Sequence, residues 1–256
     1  MKEITSILFV LLLMLASFAA GTQYPRGDVD QNGQVNIADV TCLIDYLLTG
    51  TWGDEPVTPP DDHEYVDLGL PSGTLWATCN VGANAPEEYG DYFAWGETEP
   101  KDVYNWSTYK WCNGTYDTLT KYCTNSSYGT VDNKTELEPE DDAAYVNWGE
   151  NWRMPTYDQL NEIKTKCTWT WTTQNGVNGR LVTGPNGNTL FLPAAGYRCD
   201  SLFGDVGSCG CYWSRAILSS GPYDAYGMYF YSEGVYWNNF SRDFGFPVRA
   251  LRVPQN

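Results

Sequence analysis

The residues best suited to chemistry occupy the twelve positions from Asp28 to Asp39, which read DVDQNGQVNIAD. Calcium takes six to eight oxygen ligands, and an EF-hand-type loop supplies them from positions 1, 3, 5, 7, 9 and 12. Those positions hold the expected calcium ligands Asp28, Asp30, Asn32, Gln34 (through its main-chain carbonyl), Asn36 and Asp39. Gly33 occupies position 6, where the sharp turn requires a positive φ. The spacing therefore predicts calcium as a cofactor; the alternative is an Asx-rich surface turn without a metal.

An amphipathic helix is predicted directly after this loop. Apolar residues recur there at helical spacing: Val40, Leu43, Ile44, Leu47 and Leu48. Pro25 lies just upstream of the loop, so the predicted unit is a loop with an exit helix but no entering helix. One short repeat cannot bury its own apolar stripe. The stripe must therefore pack on the rest of the chain, on a second copy or on a partner.

The segment from Gly27 to Leu48 closely resembles a type I dockerin repeat, a family in which Asp at loop position 12 is normal. Dockerins are calcium-dependent modules that bind cohesin domains, and they normally carry two repeats, whereas this chain holds one such loop. The resemblance implies a cohesin-like protein as the partner. It also implies that Ile37 and Ala38, at loop positions 10 and 11, help to select that partner. The helix residues Leu43 and Leu47 are expected at the same contact.

The first residues are typical of an exported protein. Met1-Lys2-Glu3 precedes an apolar run from Ile7 to Ala16 and small residues up to Gly21, which is the layout of a secretory signal peptide. A membrane anchor is the alternative, but the run is shorter than the roughly 20 residues that a spanning helix needs. We therefore expect residues 1–21 to be removed. The mature protein is then expected to be secreted or held at the cell surface, with no transmembrane segment.

The composition excludes some classes of partner. The formal net charge is −17, from 32 acidic and 15 basic residues, and this disfavours nucleic acid and anionic membranes. Tyr, Trp and Phe make up 15% of the chain, which suits surfaces that stack on sugars or bind proteins. Eight Cys leave disulfides open, although a bridge between Cys209 and Cys211 would be strained. Zinc is a weaker alternative, because the chain has one His and no pair of CxxC motifs.

The chain is predicted to divide into a calcium loop and helix (22–50), a Pro-rich and acidic linker (51–63) and one large domain (64–256). Short apolar or alternating runs between Gly and Asn turns predict a β-rich large domain. A hairpin turn is expected at 185–188, a helix capped by Thr156, and a weaker helix near Pro86. The polar segment from Asn113 to Asp142 predicts a long irregular loop.

Three stretches of the large domain begin at Tyr65, Trp152 and Leu192 and read YVDLGLPSGTLWATCNVGA, WRMPTYDQL and LPAAGYR. They look like the Fibrobacter succinogenes major paralogous domain family, which is common in secreted proteins of gut Bacteroidetes. That family is related to the C-type-lectin-like fold, and the match spans nearly all of 64–253. The resemblance implies an α+β, β-rich and loop-rich C-type-lectin-like domain. Function does not follow from it, because this fold hosts sugar binding, protein binding and catalysis.

A candidate ligand-binding segment lies between residues 223 and 243. It is rich in Tyr, Asn and Ser, which antibody-like binding surfaces use for rigid aromatic area and adaptable hydrogen bonds. The candidate ligand contacts are Tyr223, Tyr226, Tyr229, Tyr231, Tyr236, Trp237, Asn239 and Arg242. The alternative is an ordinary core strand, with Met228 and Phe230 pointing one way and the intervening tyrosines the other.

Catalysis is the less favoured function. The single histidine, His63, lies in the linker, which excludes Ser-His and Cys-His nucleophile systems. Paired carboxylates for glycoside hydrolysis stay open, with Asp91, Glu97, Glu99 and Asp158 as candidates. We expect a secreted, non-catalytic binding protein that recognises a glycan or a surface protein. The alternatives are a carbohydrate-active enzyme component that takes part in polysaccharide degradation, and a structural surface or adhesin subunit.

Overall fold

A computed structural model describes residues 63–252 together with Val40 and Leu43. The chain divides into two compact units, 1–61 and 62–256, and the division falls within the predicted linker. Val40 and Leu43 are helical, as the apolar spacing predicts. The signal peptide, the calcium loop 28–39 with Ile37 and Ala38, and Leu47 lie outside the described residues, so these predictions stay untested.

The described part of the second unit is β-rich, with fourteen strands in four antiparallel sheets. The first sheet has the order β1 (Tyr65–Asp67), β2 (Leu75–Ala77), β14 (Leu251–Arg252) and β4 (Trp152–Arg153). The second has the order β3 (Phe93–Ala94), β13 (Gly245–Phe246), β8 (Tyr197–Cys199) and β9 (Leu202–Gly204). The last strand therefore pairs with β2 and β4, which brings the first and last described strands of the unit into one sheet.

The remaining strands form two three-stranded antiparallel meanders. One is built from β5 (Thr168–Gln174), β6 (Val177–Thr183) and β7 (Thr189–Pro193). The other, which carries the candidate ligand residues, is built from β10 (Gly210–Ile217), β11 (Asp224–Phe230) and β12 (Val235–Ser241). Asn175 and Gly176 both adopt positive φ and close the β5–β6 hairpin, as Asn-Gly turns do. The predicted hairpin at 185–188 is confirmed, since it joins β6 to β7.

Helices are short in this domain. They are α1 (Ala143–Trp148), α2 (Tyr157–Lys166) and a 3-10 turn at Pro139–Asp141. The predicted helix after Thr156 is confirmed, and Thr156 and Gln159 form a capping box. The predicted helix near Pro86 is wrong: residues 81–90 form turns and bends, with Gly82 and Gly90 at positive φ. No helix within the described residues has the length and apolar character needed to cross a membrane.

The sheet of β10, β11 and β12 has core on both of its faces. Met228 and Phe230 lie in one hydrophobic cluster, with Leu160 and Ile163 of α2. Ala225 lies in a second cluster with Trp213, and Tyr229 and Tyr231 pack against it. The alternation predicted for β11 is therefore confirmed, because successive side chains of a strand point to opposite faces.

Candidate ligand-binding face

Strand alternation separates the predicted ligand residues into two groups. In the β11–β12 hairpin Tyr226 pairs with Asn239, and Met228 pairs with Trp237. Directly paired residues of antiparallel strands project from the same face. We call this surface, which also carries Asp224, the Asp224 face. Tyr229 pairs with Tyr236 and Ala225 with Phe240 on the opposite surface, which we call the Tyr229 face.

The polar centre of the Asp224 face is a carboxylate–amide pair. Asn239 Nδ2 donates to Asp224 Oδ2 over 2.5 Å. Asp224 is half-buried, and burial raises the pKa of its carboxyl. The salt bridges found among the described residues do not include Asp224. Its charge is therefore held by an amide rather than by a cation of the described chain.

A tyrosine triad forms around Tyr223, the residue directly before Asp224 in the chain. The ring centroid of Tyr223 is 5.6 Å from that of Tyr116 and 4.9 Å from that of Tyr128. Tyr116 is 49% exposed, and Tyr223 and Tyr128 are partly exposed. The negative charge of Asp224 is the largest cause of a raised pKa at the Tyr223 hydroxyl, so the triad and the carboxylate share one electrostatic environment.

Sequence reasoning missed two members of the triad. Tyr116 and Tyr128 belong to the segment 113–142, which is irregular, as predicted, apart from isolated bridges and the 3-10 turn. A loop without periodicity offers no register from which a shared surface can be deduced. The Asn, Ser, Thr and Tyr composition of this segment, which resembles that of 223–243, was the available signal.

A second aromatic group flanks the carboxylate–amide pair along the strands. Tyr157, the first residue of α2, lies 5.1 Å from Tyr226 and 4.4 Å from Trp237 between ring centroids. The indole Nε1 of Trp237 donates to Asn161 Oδ1 over 3.3 Å. Helix α2 therefore holds these rings in place. The Asp224 face places Tyr226, Trp237 and Asn239 of the predicted ligand residues on one surface, and Tyr223 lies at its end, in the turn before β11.

The prediction that Arg242 contacts a ligand is wrong, because its side chain is fully buried at 0% exposure. Its guanidinium lies 4.8 Å from the Trp95 ring centroid and donates from Nε to Tyr109 Oη over 2.8 Å. Nη1 donates to the carbonyls of Pro222 (2.8 Å) and Tyr122 (3.1 Å). A buried cation needs such partners, because leaving polar groups unpaired away from water is costly.

Arg242 nevertheless holds the chain segments next to the Asp224 face in position. Pro222 directly precedes Tyr223, and the main-chain N–H of Arg242 also donates to the carbonyl of Tyr223. Tyr122 lies between Tyr116 and Tyr128 in the chain. One guanidinium therefore fastens the two segments that build the tyrosine triad.

On the Tyr229 face the rings mostly serve the core. Tyr229, Tyr231 and Phe240 pack against the cluster that holds Trp213. Tyr236 stacks on Tyr229 with centroids 5.4 Å apart and is 43% exposed. The structure thus separates the predicted ligand residues Tyr229, Tyr231 and Tyr236 from the Asp224 face.

An acidic cluster lies elsewhere in the domain. Carboxylate oxygens of Glu138, Glu140 and Asp141 come within 4.8 Å of one another, a spacing that could hold a metal ion. Lys121 Nζ lies among them, 2.6 Å from Glu138 and 2.5 Å from Asp141. Hydrogen bonds from Lys121 and Lys134 lower the pKa of Glu138 to about 2. The ammonium group of Lys121 therefore already supplies positive charge to this cluster.

The acids proposed for hydrolysis do not form a described pair. Glu97 is buried and bonded to Lys101 over 2.8 Å, whereas Asp91, Glu99 and Asp158 are exposed. Each of the seven cysteines in the described residues is a free thiol, and Cys42 lies outside them. Cys209 Sγ and Cys211 Sγ are 3.5 Å apart, which is contact between thiols rather than a disulfide.

No protein-family model, curated protein or solved structure matches this chain. The resemblances to the dockerin repeat and to the lectin-like family therefore stay predictions from sequence. The geometry of the Asp224 face is the basis for the function proposed below.

Proposed function

We propose that this chain is a secreted, non-catalytic binding protein whose 64–256 domain, of C-type-lectin-like type, recognises a glycan or a surface protein at the Asp224 face. The observation that carries the proposal is the half-buried Asp224–Asn239 pair on the same face as the partly exposed rings of Tyr226 and Trp237, with the tyrosine triad next along the chain at Tyr223. Aromatic rings beside adaptable hydrogen-bonding groups are the usual composition of a recognition surface.

The stability of the fold does not account for this arrangement. A half-buried carboxylate with no cation among the described residues loses hydration without gaining an ion pair, which raises its pKa. Departures from favourable local chemistry concentrate at functional sites. The Asp224 face, where a ligand would supply the missing hydrogen bonds, is therefore the best-supported binding surface of the described domain.

The N-terminal unit is proposed as a dockerin-like calcium module that attaches the protein to a cohesin-like partner. The loop 28–39 is proposed to hold calcium, and the contact is proposed to use Ile37, Ala38, Leu43 and Leu47. The spacing of the loop oxygens supports the calcium ligands. The division of the chain into two compact units supports a separate module.

Calcium binding is tested by titration calorimetry on the full chain. Asp28→Ala together with Asp30→Ala removes two carboxylates, so we expect calcium binding to be lost. Asp117→Ala, at an exposed acid of the large domain, is the control and should bind as the parent does. Calcium affinity unchanged by the double substitution would contradict the proposed ligand set.

The binding face is tested with the full chain on an array of glycans and bacterial surface proteins. Tyr223→Ala and Tyr226→Ala should each weaken binding of the same ligands by about tenfold, because each removes an aromatic contact worth roughly 1–2 kcal/mol. Tyr236→Ala is the matched control, an exposed tyrosine on the opposite face of the same hairpin. If all three substitutions had equal effects, or if none of them changed ligand binding, the assignment of the binding surface to the Asp224 face would be contradicted.

A further inference from the structure

We infer that the ligand of the Asp224 face is a neutral saccharide, held without calcium through a pair of neighbouring hydroxyl groups. The inference rests on the proposed function, since it takes the Asp224 face to be a binding surface. It adds the chemical class of the ligand and the roles of the two polar side chains.

The hydrogen-bonding capacity of the centre matches a diol. Asp224 is an acceptor, and within the described residues Asn239 is the hydrogen-bond donor to its carboxylate. Asn239 keeps a second N–H and its carbonyl oxygen for a ligand. One hydroxyl of a diol can donate to Asp224 while the next accepts from Asn239. Hydroxyl groups both donate and accept, so neighbouring hydroxyls of a sugar ring fit this pair on both sides.

The flanking rings match the apolar side of a sugar. Tyr223 directly precedes Asp224, and Tyr226 follows it by two residues on the same face of β11. Tyr116 lies beside Tyr223, and Tyr157 lies beside both Tyr226 and Trp237, which enlarges the aromatic area. A pyranose ring has C–H groups on one face and hydroxyls along its edge, so stacking and hydrogen bonding can occur together.

Charge selects against acidic saccharides. Asp224 lacks a cationic partner among the described residues, and its hydrogen-bond partner there is the neutral amide of Asn239. The chain carries a formal net charge of −17. A carboxylated or sulfated glycan would place like charges close together in a partly desolvated site, which is unfavourable. A neutral ligand avoids this repulsion and can still donate a hydrogen bond to the Asp224 carboxylate.

The same centre is poorly built for calcium. Calcium requires six to eight oxygen ligands, usually including several carboxylates. The one group of acids that meets metal-ligand spacing in the described residues is Glu138, Glu140 and Asp141, which does not include Asp224. One Asp224 oxygen already accepts from the Asn239 amide. Recognition at this face is therefore expected to use direct hydrogen bonds and to be independent of the predicted calcium loop.

The test uses the full chain and titration calorimetry with laminarin, mannan and xyloglucan as neutral probes and polygalacturonate and heparin as acidic ones. Each titration is run in calcium and in EDTA. We expect a neutral polysaccharide to bind equally in both, and Asp224→Asn and Asn239→Ala each to weaken it by at least about tenfold. Asn238→Ala, at the exposed neighbour that points to the opposite face, should leave affinity unchanged.

The outcomes separate this inference from the proposed function. Binding that EDTA abolishes, or that is stronger for the acidic probes, overturns the inference. A surface protein whose binding is lost in Tyr223→Ala, with no neutral probe bound, also overturns it while the binding face stands. If neither these probes nor the array yields a ligand that depends on Tyr223 or Tyr226, both proposals fail.

Discussion

The two faces of the β11–β12 hairpin carry similar side chains but lie in different surroundings. Tyr229 and Phe240 on one face pack into the cluster around Trp213. Tyr226 and Asn239 on the other face are partly exposed, and Tyr226 lies beside the partly exposed ring of Tyr157. Composition alone does not distinguish the faces, because both faces of each strand carry aromatic residues.

The difference shows how one hairpin can serve two purposes. The Tyr229 face completes the core, where apolar burial supplies most of the stabilisation. The Asp224 face keeps a half-buried carboxylate that burial disfavours in its charged form. Substitutions of core residues such as Trp213 should therefore affect mainly stability, and those at the polar Asp224 end of the hairpin mainly binding.

The largest effect is expected at Trp213, which is 1% exposed and stacks on Phe246 with centroids 4.1 Å apart. Trp213→Ala should lower the free energy of unfolding by about 3–5 kcal/mol, because it removes a large buried side chain and leaves a cavity. Chemical denaturation monitored by circular dichroism measures the loss. A change below about 1 kcal/mol would contradict the role of this side chain in the core.

Substitution of Arg242 should reduce both stability and ligand affinity. Arg242→Met keeps volume but leaves the carbonyls of Pro222 and Tyr122 without their donor, so we expect a loss of about 2–4 kcal/mol in unfolding free energy. Ligand affinity should fall as well, because the hydrogen bonds that hold the two segments of the tyrosine triad together are lost. Arg242→Lys keeps the positive charge and supplies an ammonium group that can donate to these carbonyls, so it should recover part of both the stability and the affinity. Affinity unchanged in a folded Arg242→Met variant would contradict the positioning role.

Tyr116 tests the exposed end of the triad. Its ring is 49% exposed, so Tyr116→Ala should cost less than about 1 kcal/mol in unfolding free energy. Because the ring contacts Tyr223, we expect a several-fold loss of ligand affinity in the array assay. Tyr65→Ala, at another exposed tyrosine in β1, is the comparison. Identical binding by the two variants would remove Tyr116 from the binding face.

The smallest expected effect is the pH dependence that Asp224 adds to stability. Burial raises the pKa of its carboxyl, so the folded state binds this proton more tightly than the unfolded chain. The contribution of Asp224 to stability therefore becomes less favourable as pH rises from about 4, the unfolded value, through the raised folded pKa.

Asp224→Asn removes this titration while keeping a partner for Asn239. We expect its melting temperature to exceed that of the parent near pH 7, and the difference to shrink towards pH 3, while ligand binding is weakened. Thermal denaturation across this pH range measures the difference. A stability difference that grows as pH falls would show that the carboxylate is favoured by folding.

Local patterns predicted much of the fold. The capped helix after Thr156, the hairpin at 185–188 and the alternation of β11 depend on neighbours within a few residues, and each is confirmed. The helix near Pro86 was predicted wrongly and α1 was not predicted. In both places short-range propensity is weak, and in α1 the carboxylate of Asp142 sets the boundary by accepting from the N–H groups of Ala144 and Tyr145.

The sequence by itself determined the net charge, the two-residue period of β11, and the choice of Tyr223, Tyr226, Trp237 and Asn239 as candidate ligand contacts. Only the tertiary structure placed Tyr116 and Tyr128 beside Tyr223 and turned Arg242 into the interior. The physical reason is range: strand alternation is set within two residues, whereas Arg242 bonds to a loop some 120 positions away. Such contacts form only when separate segments pack together.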